Sequence, residues 1–440
     1  MKGDAVKHRS IRVATTGVAI AALTTGLLAG CSSADSGGGE GGEQTLRVTL
    51  ANHVWTDIVK DKISEFEEAH EGVTVEVTQL GEDQLSDQYN VKLNAGTDEI
   101  DVMMYRPLQE GKLFAQNGYL ADLSDYVTQD AEWDWDDFQS GPVEATTFDG
   151  AVVGVPIITE QEVLYYRTDV LESLGIAVPS TLEELEAASK QIKEQGQIAG
   201  FVARTGVSAA VTQFSSFLFS EGGDFANKDY TKATIDSDEA KAAYELYGRL
   251  IGQYGPDNVS TDMSWPDAAA LFAQGQVAFY TDASSLYQNL ALEENSTVWD
   301  KVGYAPFPSG KAGSVPYNVP SWALGINNDS SKKDLSFEFV KWLTSPEMTL
   351  EVQTAGVPAA RASVWSDPQG TASFPEQLAE AISIGSETGF GYDRPLVINV
   401  AEAREIVGAP IVEAITGGDV DAAIAKAQAD FQAFLDDENS

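Results

Sequence analysis

Cysteine and histidine are nearly absent from this chain of 440 residues. It contains one cysteine and three histidines. A single cysteine cannot form an internal disulfide, so stability must come from ordinary apolar cores. A zinc or iron site lacks ligands, and the motifs G-x-S-x-G, H-E-x-x-H and G-x-x-x-x-G-K-[ST] do not occur. These absences argue against nucleophilic and metal-dependent catalysis, and they predict that the protein needs no metal and no cofactor.

Basic residues are also scarce. The chain has 27 Lys and Arg against 68 Asp and Glu, a formal net charge of −41. Four basic residues and one acidic residue precede Cys31, so the chain from Cys31 onward has 23 against 67, or −44. Such a surface argues against nucleic acid as a partner, because phosphates require basic patches. The acids are spread along the chain, which favours a solvated surface over a specific cation site.

The amino terminus has the pattern of an export signal. Lys2, Lys7, Arg9 and Arg12 precede an apolar run, Val13 to Leu28, that is too short and too diluted by Thr and Gly to span a bilayer well. The run ends Leu-Ala-Gly-Cys, which resembles a bacterial lipobox. We therefore expect residues 1–30 to be a signal peptide and the Cys31 thiol to carry a lipid that anchors the protein to the outer face of the cell membrane.

The segment 31–44 is rich in Gly and Ser and predicts a flexible linker between the lipidated cysteine and the folded part. The folded part should begin near Thr45. The 410 residues from Cys31 to the end exceed the roughly 250–300 residues at which single cores stop growing, so two domains are expected.

Strands and helices alternate in the first part of the folded chain. The pattern predicts strands at 45–51, 73–80 and 100–105, with helices at 56–68 and 83–95 between them. Such alternation is typical of a parallel sheet covered by helices on both faces. Ligands bind to such sheets at the loops that follow the strands, which here are 52–55 and 105–106.

The stretch Val152 to Arg167 is the most informative in the chain. An apolar, β-branched run to Ile158 is followed by four polar residues, 159–162, and then by a second apolar run. One interpretation is two strands joined by a polar turn within one sheet. The other is a crossing between two domains, with polar side chains such as Glu160 facing a cleft, where pockets commonly lie.

Aromatic residues recur at the ends of predicted elements, next to polar ones. Aromatic faces stack on the C–H faces of sugars, while Asp, Glu, Asn, Gln and Arg bind hydroxyl groups. Any one of these residues is more often a core residue than a ligand contact, and only their recurrence favours a carbohydrate site. The residues are Trp55, Tyr105, Tyr165, Trp265, Tyr280, Tyr317 and Trp322.

Five segments in order resemble the extracellular solute-binding proteins of bacterial ABC importers, in the carbohydrate-binding group that includes maltose-binding protein. The resemblance extends over nearly the whole chain after the linker. The segments are Val155–Leu171 with its Leu-Tyr-Tyr-Arg-Thr-Asp run, Thr181–Leu185, Trp265–Phe279 followed by Asp282, Trp322–Leu343, and Gly356–Val364.

The resemblance implies an α/β, two-lobed periplasmic-binding-protein-like fold, with a ligand cleft between lobes joined by a hinge of several crossings. We expect 45–155 and 320–365 to form lobe 1, and 156–319 and 366–440 to form lobe 2. The resemblance also implies that the protein is not an enzyme. It implies a monomer that captures a carbohydrate and delivers it to the importer's permease.

The resemblance also implies ligand contacts. Glu160 follows the crossing strand, Asp282 follows the third segment, and Arg361 lies in the fifth. Position alone adds a further set of candidates: Asn52, Trp55, Tyr105, Arg204, Gln213, Tyr317 and Trp322. Tryptophan is scarce in the third quarter of the chain, which favours a mono- or disaccharide or a polyol over a long stacked oligosaccharide.

Two alternatives remain open. The protein could bind a cationic or amino-acid-like solute, which would require several cleft carboxylates against aromatic faces, or an Arg–Asp pair. It could also be a surface glycosidase with two catalytic carboxylates. With 67 acidic residues in the chain from Cys31, however, some pair of carboxylates is always available.

Overall fold

The computed structural model describes residues 44–440, with Glu82 and Asp83 by their backbone only. The predicted signal peptide and lipidated Cys31 lie outside the described residues. The first described residue, Gln44, already pairs with Val73 of the neighbouring strand, one residue before the predicted start of the folded part.

The strands are numbered in chain order. They are β1 (Gln44–Ala51), β2 (Val73–Leu80), β3 (Val102–Tyr105), β4 (Thr147–Phe148), β5 (Ala151–Val152), β6 (Val155–Arg167), β7 (Ala199–Val202), β8 (Val277–Ala283), β9 (Val302–Pro306) and β10 (Asn318–Ile326).

The α-helices of the first half of the chain follow the same numbering. They are α1 (Val54–Lys60), α2 (Ile63–Ala69), α3 (Glu82–Asn94), α4 (Lys112–Gln116), α5 (Ser124–Val127), α6 (Ser140–Ala145), α7 (Thr168–Leu174), α8 (Leu182–Gln195) and α9 (Val207–Glu221).

The second half is richer in helix, particularly towards the carboxyl end. Its helices are α10 (Asp238–Gly252), α11 (Trp265–Ala273), α12 (Tyr287–Ala291), α13 (Lys333–Leu343), α14 (Pro346–Thr354), α15 (Ser363–Ser366), α16 (Glu376–Thr388), α17 (Val400–Thr416) and α18 (Val420–Glu438).

The main sheet is organised around β6. Its strand order is β2-β1-β3-β10-β6-β8-β7, with β9 also paired to β6. Residues 155–161 of β6 pair with β10, whereas residues 162–167 pair with β8 and β9. One strand of thirteen residues therefore runs from one half of the sheet into the other, and the polar residues 159–162 continue it rather than forming a turn.

The apolar residues form cores on either side of this crossing. The first core draws its buried residues from 46–158 and 322–360. The second half of the sheet is covered on both faces: one cluster spans Leu164 to Leu435 and packs α8, α9, α10, α17 and α18, and the other spans Val163 to Ile382 and includes α11 and α16. Alternate residues of β6 supply the two faces, as the period of two in a strand requires.

The architecture is the mixed α/β, two-lobed fold that the sequence predicts. The cores follow the predicted lobe boundaries only approximately, because Ile157 and Ile158 pack in the first core while Val364 and Trp365 pack with the second half. The boundaries stay a prediction. Within residues 44–440 no helix is both long and apolar enough to cross a membrane.

The predicted helix at 56–68 is two helices in the structure, α1 and α2. The first begins at Val54 rather than Thr56, because the Nδ1 atom of His53 accepts a hydrogen bond from the Trp55 amide at 3.0 Å and caps the helix two residues earlier.

Candidate functional site

A cavity of about 280 Å³ lies where the two halves of the sheet meet. Residues of the first core and residues of the second half both line it. Its lining residues are Arg106, Leu108, Gln109, Glu160, Arg204, Thr212, Tyr317, Val319, Pro320, Ser321, Trp322, Asp393 and Arg394.

Three larger depressions, of about 430, 600 and 610 Å³, are lined only by residues from 181–311 and 402–430. They lie on the second half of the molecule and do not bring the two halves together. The smaller cavity is the stronger candidate because charged and aromatic groups from both halves converge on it.

Glu160 lies on β6 at the crossing and is half-buried. Its Oε1 atom accepts a hydrogen bond from the Ser285 hydroxyl at 3.3 Å. Burial raises the pKa of Glu160, and the carboxylates of Asp282 and Asp393 add to the rise, while Arg204 opposes it. A carboxyl group in this position accepts hydrogen bonds well, since little water competes for it.

Arg204 is fixed by a layer of residues behind the cavity. Its Nε and Nη2 atoms donate to the two carboxylate oxygens of Asp282, at 3.1 and 2.6 Å, and the Gln213 side chain accepts from its backbone amide. Burial works against the charge, but the Asp282 carboxylate outweighs it, and the pKa of Arg204 is raised. The bidentate geometry holds the guanidinium in one orientation.

Arg106, on the first half, is held in the same manner. It is the residue directly after β3, and its guanidinium donates to Glu110 and to the Ser86 hydroxyl. The guanidinium also lies 6.0 Å from the centre of the Trp322 ring, within the range of a cation–π contact. Trp322 therefore presents an aromatic surface beside a fixed cation.

A third pair comes from the loop between α16 and α17. The Asp393 carboxylate accepts from Arg394 through both oxygens, and its Oδ2 atom also accepts from the Thr212 hydroxyl at 2.7 Å. Burial alone would raise the pKa of Asp393, but the guanidinium groups of Arg394 and Arg404 hold it far below its usual range. Asp393 is therefore ionised.

Tyr317 completes the lining just before β10. Its backbone amide donates to the Ser216 hydroxyl at 2.9 Å, which fixes its position. The side chain is only 1% exposed, yet its hydroxyl has no hydrogen-bond partner within the protein. Burial raises the pKa of Tyr317 well above its usual range. The hydroxyl therefore keeps its proton and can donate a hydrogen bond to a ligand.

The structure brings together six of the ten residues predicted from sequence. Glu160, Arg204, Tyr317 and Trp322 line the cavity. Asp282 and Gln213 are buried behind it and hold Arg204 in place. Asp282 also accepts from the Tyr280 hydroxyl at 2.6 Å.

The other four do not line the cavity, and three of them are core residues. Trp55 is 2% exposed and packs in the first core, because α1 turns its indole inwards. Tyr105 is fully buried against Gly154, and its hydroxyl donates to the Val153 carbonyl. Asn52 is exposed at the turn after β1.

The expectation that the Arg361 guanidinium faces a ligand is corrected by its contacts. The group is completely buried, donates to the carbonyls of Thr344, Asp134 and Trp133, and forms an ion pair with Asp137 at 3.0 Å. The guanidinium carbon also lies 4.3 Å from the centre of the Phe138 ring. Arg361 therefore links the segment 133–137 to Thr344 and does not face the cavity.

Sequence reasoning missed six polar lining residues that could contact a ligand. Arg106 had a signal, because the loop 105–106 was recognised as a strand end, but its aromatic neighbour was chosen. Thr212 and Ser321 likewise stand next to predicted residues, Gln213 and Trp322. The other three reach the cavity through tertiary packing and are Gln109, Asp393 and Arg394.

Comparisons with known proteins identify the family. The sequence model of the bacterial extracellular solute-binding proteins matches residues 52–349. The chain belongs to this family. The resemblance predicted from the sequence is thereby confirmed.

Relatives of this solute-binding protein include sugar and polyol binders. It is 25% identical over 339 residues to the mannitol-binding protein of Pseudomonas aeruginosa, covering 74% of this chain and 76% of that protein. An ABC transporter solute-binding protein of Agrobacterium radiobacter K84, solved with ribitol, has a TM-score of 0.71 at 25% identity, covering 89% of this chain and 99% of that one. The maltose-bound MalE3 of T. maritima has a TM-score of 0.69 at 28% identity, with the same coverage.

The lining also limits the chemistry of this solute-binding protein. Among residues 44–440, no group of three or more His, Cys, Asp or Glu side chains is placed to hold a metal ion. The arginines are each engaged with a carboxylate, so the cavity offers fixed donors and acceptors. Such an arrangement can bind and orient a polar ligand.

Proposed function

We propose that this protein captures a small carbohydrate, a mono- or disaccharide or a polyol, in the 280 Å³ cavity and delivers it to the permease of an ABC importer. It acts as a binding component and not as an enzyme. The observation that carries the proposal is the convergence of Glu160, Arg204 and Asp393 with the aromatic rings of Tyr317 and Trp322 on one cavity.

The chemistry of the lining suits hydroxyl groups. Each hydroxyl donates one hydrogen bond and accepts others, and the cavity offers carboxylate acceptors beside guanidinium donors. The Tyr317 hydroxyl has no protein partner and supplies one more donor. Trp322 gives a flat apolar surface for C–H groups. The names of the relatives, which bind mannitol, ribitol and maltose, support the same class of ligand.

The size of the cavity supports a small ligand. Its volume of about 280 Å³ is just below the range of roughly 300–1,000 Å³ that is usual for ligand pockets. A monosaccharide or a short polyol would fill such a space, whereas a long oligosaccharide would not.

A thermal-shift panel of sugars, polyols, amino acids and polyamines tests the proposal. A ligand present at 100 times its Kd stabilises the folded state by about 2.7 kcal/mol, so a true ligand should raise the melting temperature clearly. We expect at least one polyol or small sugar to do so, with calorimetry giving one site per chain. Stabilisation by none of the carbohydrates would contradict the proposal.

One observation favours a second class of ligand, an amino-acid-like solute. The Asp393–Arg394 pair lies at the cavity and offers a carboxylate beside a guanidinium, which would suit an ammonium and a carboxylate group. Because these two residues already neutralise each other, the candidate requires the pair to open. The amino acids in the same panel decide between the two.

We also propose that the protein is a monomer attached to the outer face of the membrane through a lipid on Cys31. The Gly- and Ser-rich segment 31–44 would then act as a tether that lets the folded part reach the permease. An extracellular solute-binding protein that works with a membrane permease gains a high local concentration from such an anchor.

A further inference from the structure

The ammonium group of Lys112 connects the two halves of the molecule outside the ligand cavity. Its Nζ atom lies 2.6 Å from the Glu438 Oε1 atom and donates to the Leu396 carbonyl at 3.1 Å. Lys112 is the first residue of α4, whose Phe114 packs in the first core. Glu438 is the last residue of α18, whose Leu435 packs in the second half. The contact therefore joins elements that belong to different cores.

The groups that receive the ammonium are held together within the second half. The second carboxylate oxygen of Glu438 accepts from the Ile398 amide at 2.8 Å. Ile398 lies two residues after Leu396, so the loop that supplies the carbonyl is fastened to the helix that supplies the carboxylate. The side chains of Lys112 and Glu438 are only 24% and 11% exposed, and partial burial protects an ion pair from screening by salt.

Tyr230 forms a third side of this binding position. The Lys112 Nζ atom lies 5.9 Å from the centre of the Tyr230 ring, within the range of a cation–π contact. The backbone of Tyr230 has a φ of 49°, in the left-handed region that aromatic residues rarely adopt. Asn439, directly after α18, donates to the Tyr230 carbonyl at 2.9 Å and holds the turn. Residues held in such a conformation are concentrated at functional contacts.

The contact adjoins the cavity without lining it. Gln109, a lining residue, precedes Lys112 by three positions, and Arg394, a lining residue of the second half, precedes Leu396 by two. Lys112 and Glu438 are not among the lining residues. Separation of the two halves at this point would move Gln109 away from Arg394 and open the cavity to solvent.

We propose that Lys112, Glu438 and the Leu396 carbonyl form a latch that stabilises the closed arrangement of the two halves and slows ligand release, although the latch touches no ligand. A contact that exists only when the halves meet lowers the free energy of that state alone. The effect on the closed arrangement concerns the protein by itself. The effect on ligand release rests on the proposed function.

The surroundings of the latch set the size of its effect. Fully exposed ion pairs contribute little, because water and salt screen them. Here the ammonium is shared by a carboxylate, a carbonyl and an aromatic ring, and both side chains are largely buried. The apparent affinity for a ligand is proportional to the fraction of protein in the competent state. We expect loss of the latch to weaken binding by about three- to tenfold.

Solution X-ray scattering of the protein without ligand tests the latch directly. Lys112→Met and Glu438→Gln each remove one charge, and the glutamine can still accept from the Ile398 amide. We expect both variants to have a larger radius of gyration than the wild type at low salt, and the wild type to approach them at high salt. The double variant should expand no further than the singles, because each single change already breaks the same pair. An unchanged radius in both single variants would overturn the proposal.

Lys341→Met is the matched control for Lys112→Met. Lys341 lies 2.9 Å from Asp130, and its side chain is 25% exposed, close to the value for Lys112. Both Lys341 and Asp130 lie in the first half, so this variant loses an equivalent positive charge without affecting the contact between the halves. We expect its radius of gyration to equal that of the wild type. Equal expansion of Lys341→Met and Lys112→Met would show a general effect of charge and overturn the latch.

Ligand release is tested with ribitol, D-mannitol and maltose. For any of these that binds the wild type, Lys112→Met should raise the Kd about three- to tenfold. The dissociation rate from stopped-flow fluorescence should rise by a similar factor, and Lys341→Met should change neither. Equal dissociation rates for wild type and Lys112→Met would overturn the effect on release. If no carbohydrate binds the wild type, the proposed function fails, whereas scattering without ligand still decides whether the latch exists.

Discussion

At the scale of single residues, the site is built from charges that cancel in pairs. Arg106, Arg204 and Arg394 each lie beside a carboxylate. The attraction of the carboxylate offsets part of the cost of removing a guanidinium from water. The consequence is a strongly polar cavity with donors whose directions are fixed before a ligand arrives.

Glu160 is the residue whose replacement should affect binding most directly. Glu160→Ala removes a carboxylate that would accept a hydrogen bond from the ligand, an interaction worth roughly 1.5–3 kcal/mol. We expect the Kd to rise by about ten- to a hundredfold, measured by calorimetry with a carbohydrate found in the panel.

The melting temperature of unliganded Glu160→Ala should stay near that of wild type, since Glu160 makes one weak hydrogen bond to Ser285. Glu183→Ala, at an exposed position of α8, controls for the loss of a glutamate. An unchanged Kd for Glu160→Ala would reassign Glu160 to a structural role.

Arg361 should behave in the opposite manner. Arg361→Ala leaves Asp137 without its cation and the Thr344 and Trp133 carbonyls without donors. Breaking a buried ion pair by removing one partner costs about 3–5 kcal/mol. We expect a loss of this size in the free energy of unfolding, from urea titration.

Arg249→Ala is a suitable comparison for Arg361→Ala. Arg249 pairs with Glu186 at the surface, with 37% of its side chain exposed, and surface pairs contribute only about 0–1 kcal/mol. Equal costs for the two variants would mean that Arg361 does not hold the first lobe together.

At the scale of elements, strand β6 decides how the halves connect. Val155 to Ile158 are apolar and buried against β10, and Val163 to Tyr166 are apolar and buried between β8 and β9. The polar residues between them remain extended because backbone pairing continues through both sets of partners. The strand therefore carries Glu160 to the cavity on a rigid support.

Helices α10 and α17 show how closely elements of the second half approach each other. A Cβ atom at Gly248 would lie 2.5 Å from the Ala414 Cβ and 2.7 Å from its carbonyl carbon and oxygen. Gly248→Ala should favour α10 locally, but overpacking costs about 1–3 kcal/mol. We expect net destabilisation, seen as a lower melting temperature.

Glu245→Ala, at an exposed position of the same helix, provides the comparison for Gly248→Ala. It reports the helix propensity of alanine without the steric conflict. A melting temperature for Gly248→Ala at or above that of Glu245→Ala would show that the two helices can separate at little cost.

At the scale of the whole molecule, separate cores lie on either side of the β6 crossing. This arrangement would allow the molecule to bend at the crossing, as at a hinge. The cavity takes Arg106 and Trp322 from the first lobe and Arg204 and Asp393 from the second half. A small ligand that contacts both sides favours the closed state, by no more than its difference in affinity for the two states. We expect the radius of gyration from solution X-ray scattering to fall when the ligand is added.

The Glu160→Ala variant at the same ligand concentration is the control for scattering, because it should bind less ligand and close less. Tryptophan fluorescence should report greater burial in the wild type alone. Closure would be ruled out by a radius of gyration that is unchanged at saturation, together with a crystal structure in which the ligand contacts one lobe only. The candidate residues of the other lobe would then be surface residues and not ligand contacts.

The anchor is a property of the whole chain as well. Cys31→Ser should abolish lipidation, because only a thiol can form the thioether. Mass spectrometry of the mature protein should show a lipid on Cys31 in the wild type and none in the variant. A wild-type amino terminus that begins elsewhere, or that carries no lipid, would contradict the prediction.

The sequence by itself determined the fold class and the family. Local patterns are sufficient for that: strands of period two, helices of period 3.6, and five family segments in order. It also singled out Glu160, because a polar residue between two apolar, β-branched runs is visible in the sequence. Composition alone argued against nucleic acid as a partner and against metal catalysis.

Only the tertiary structure decided which residues meet. Thr212 and Asp393 are 181 positions apart, yet they share a hydrogen bond at the cavity, and no local pattern encodes such a contact. The same reason explains why Trp55, Tyr105 and Arg361 do not line the cavity. The two aromatic residues pack in the first core, and the Arg361 guanidinium is engaged by backbone carbonyls and Asp137. The partner that a side chain finds, and thus whether it binds a ligand or supports the core, depends on how distant segments pack.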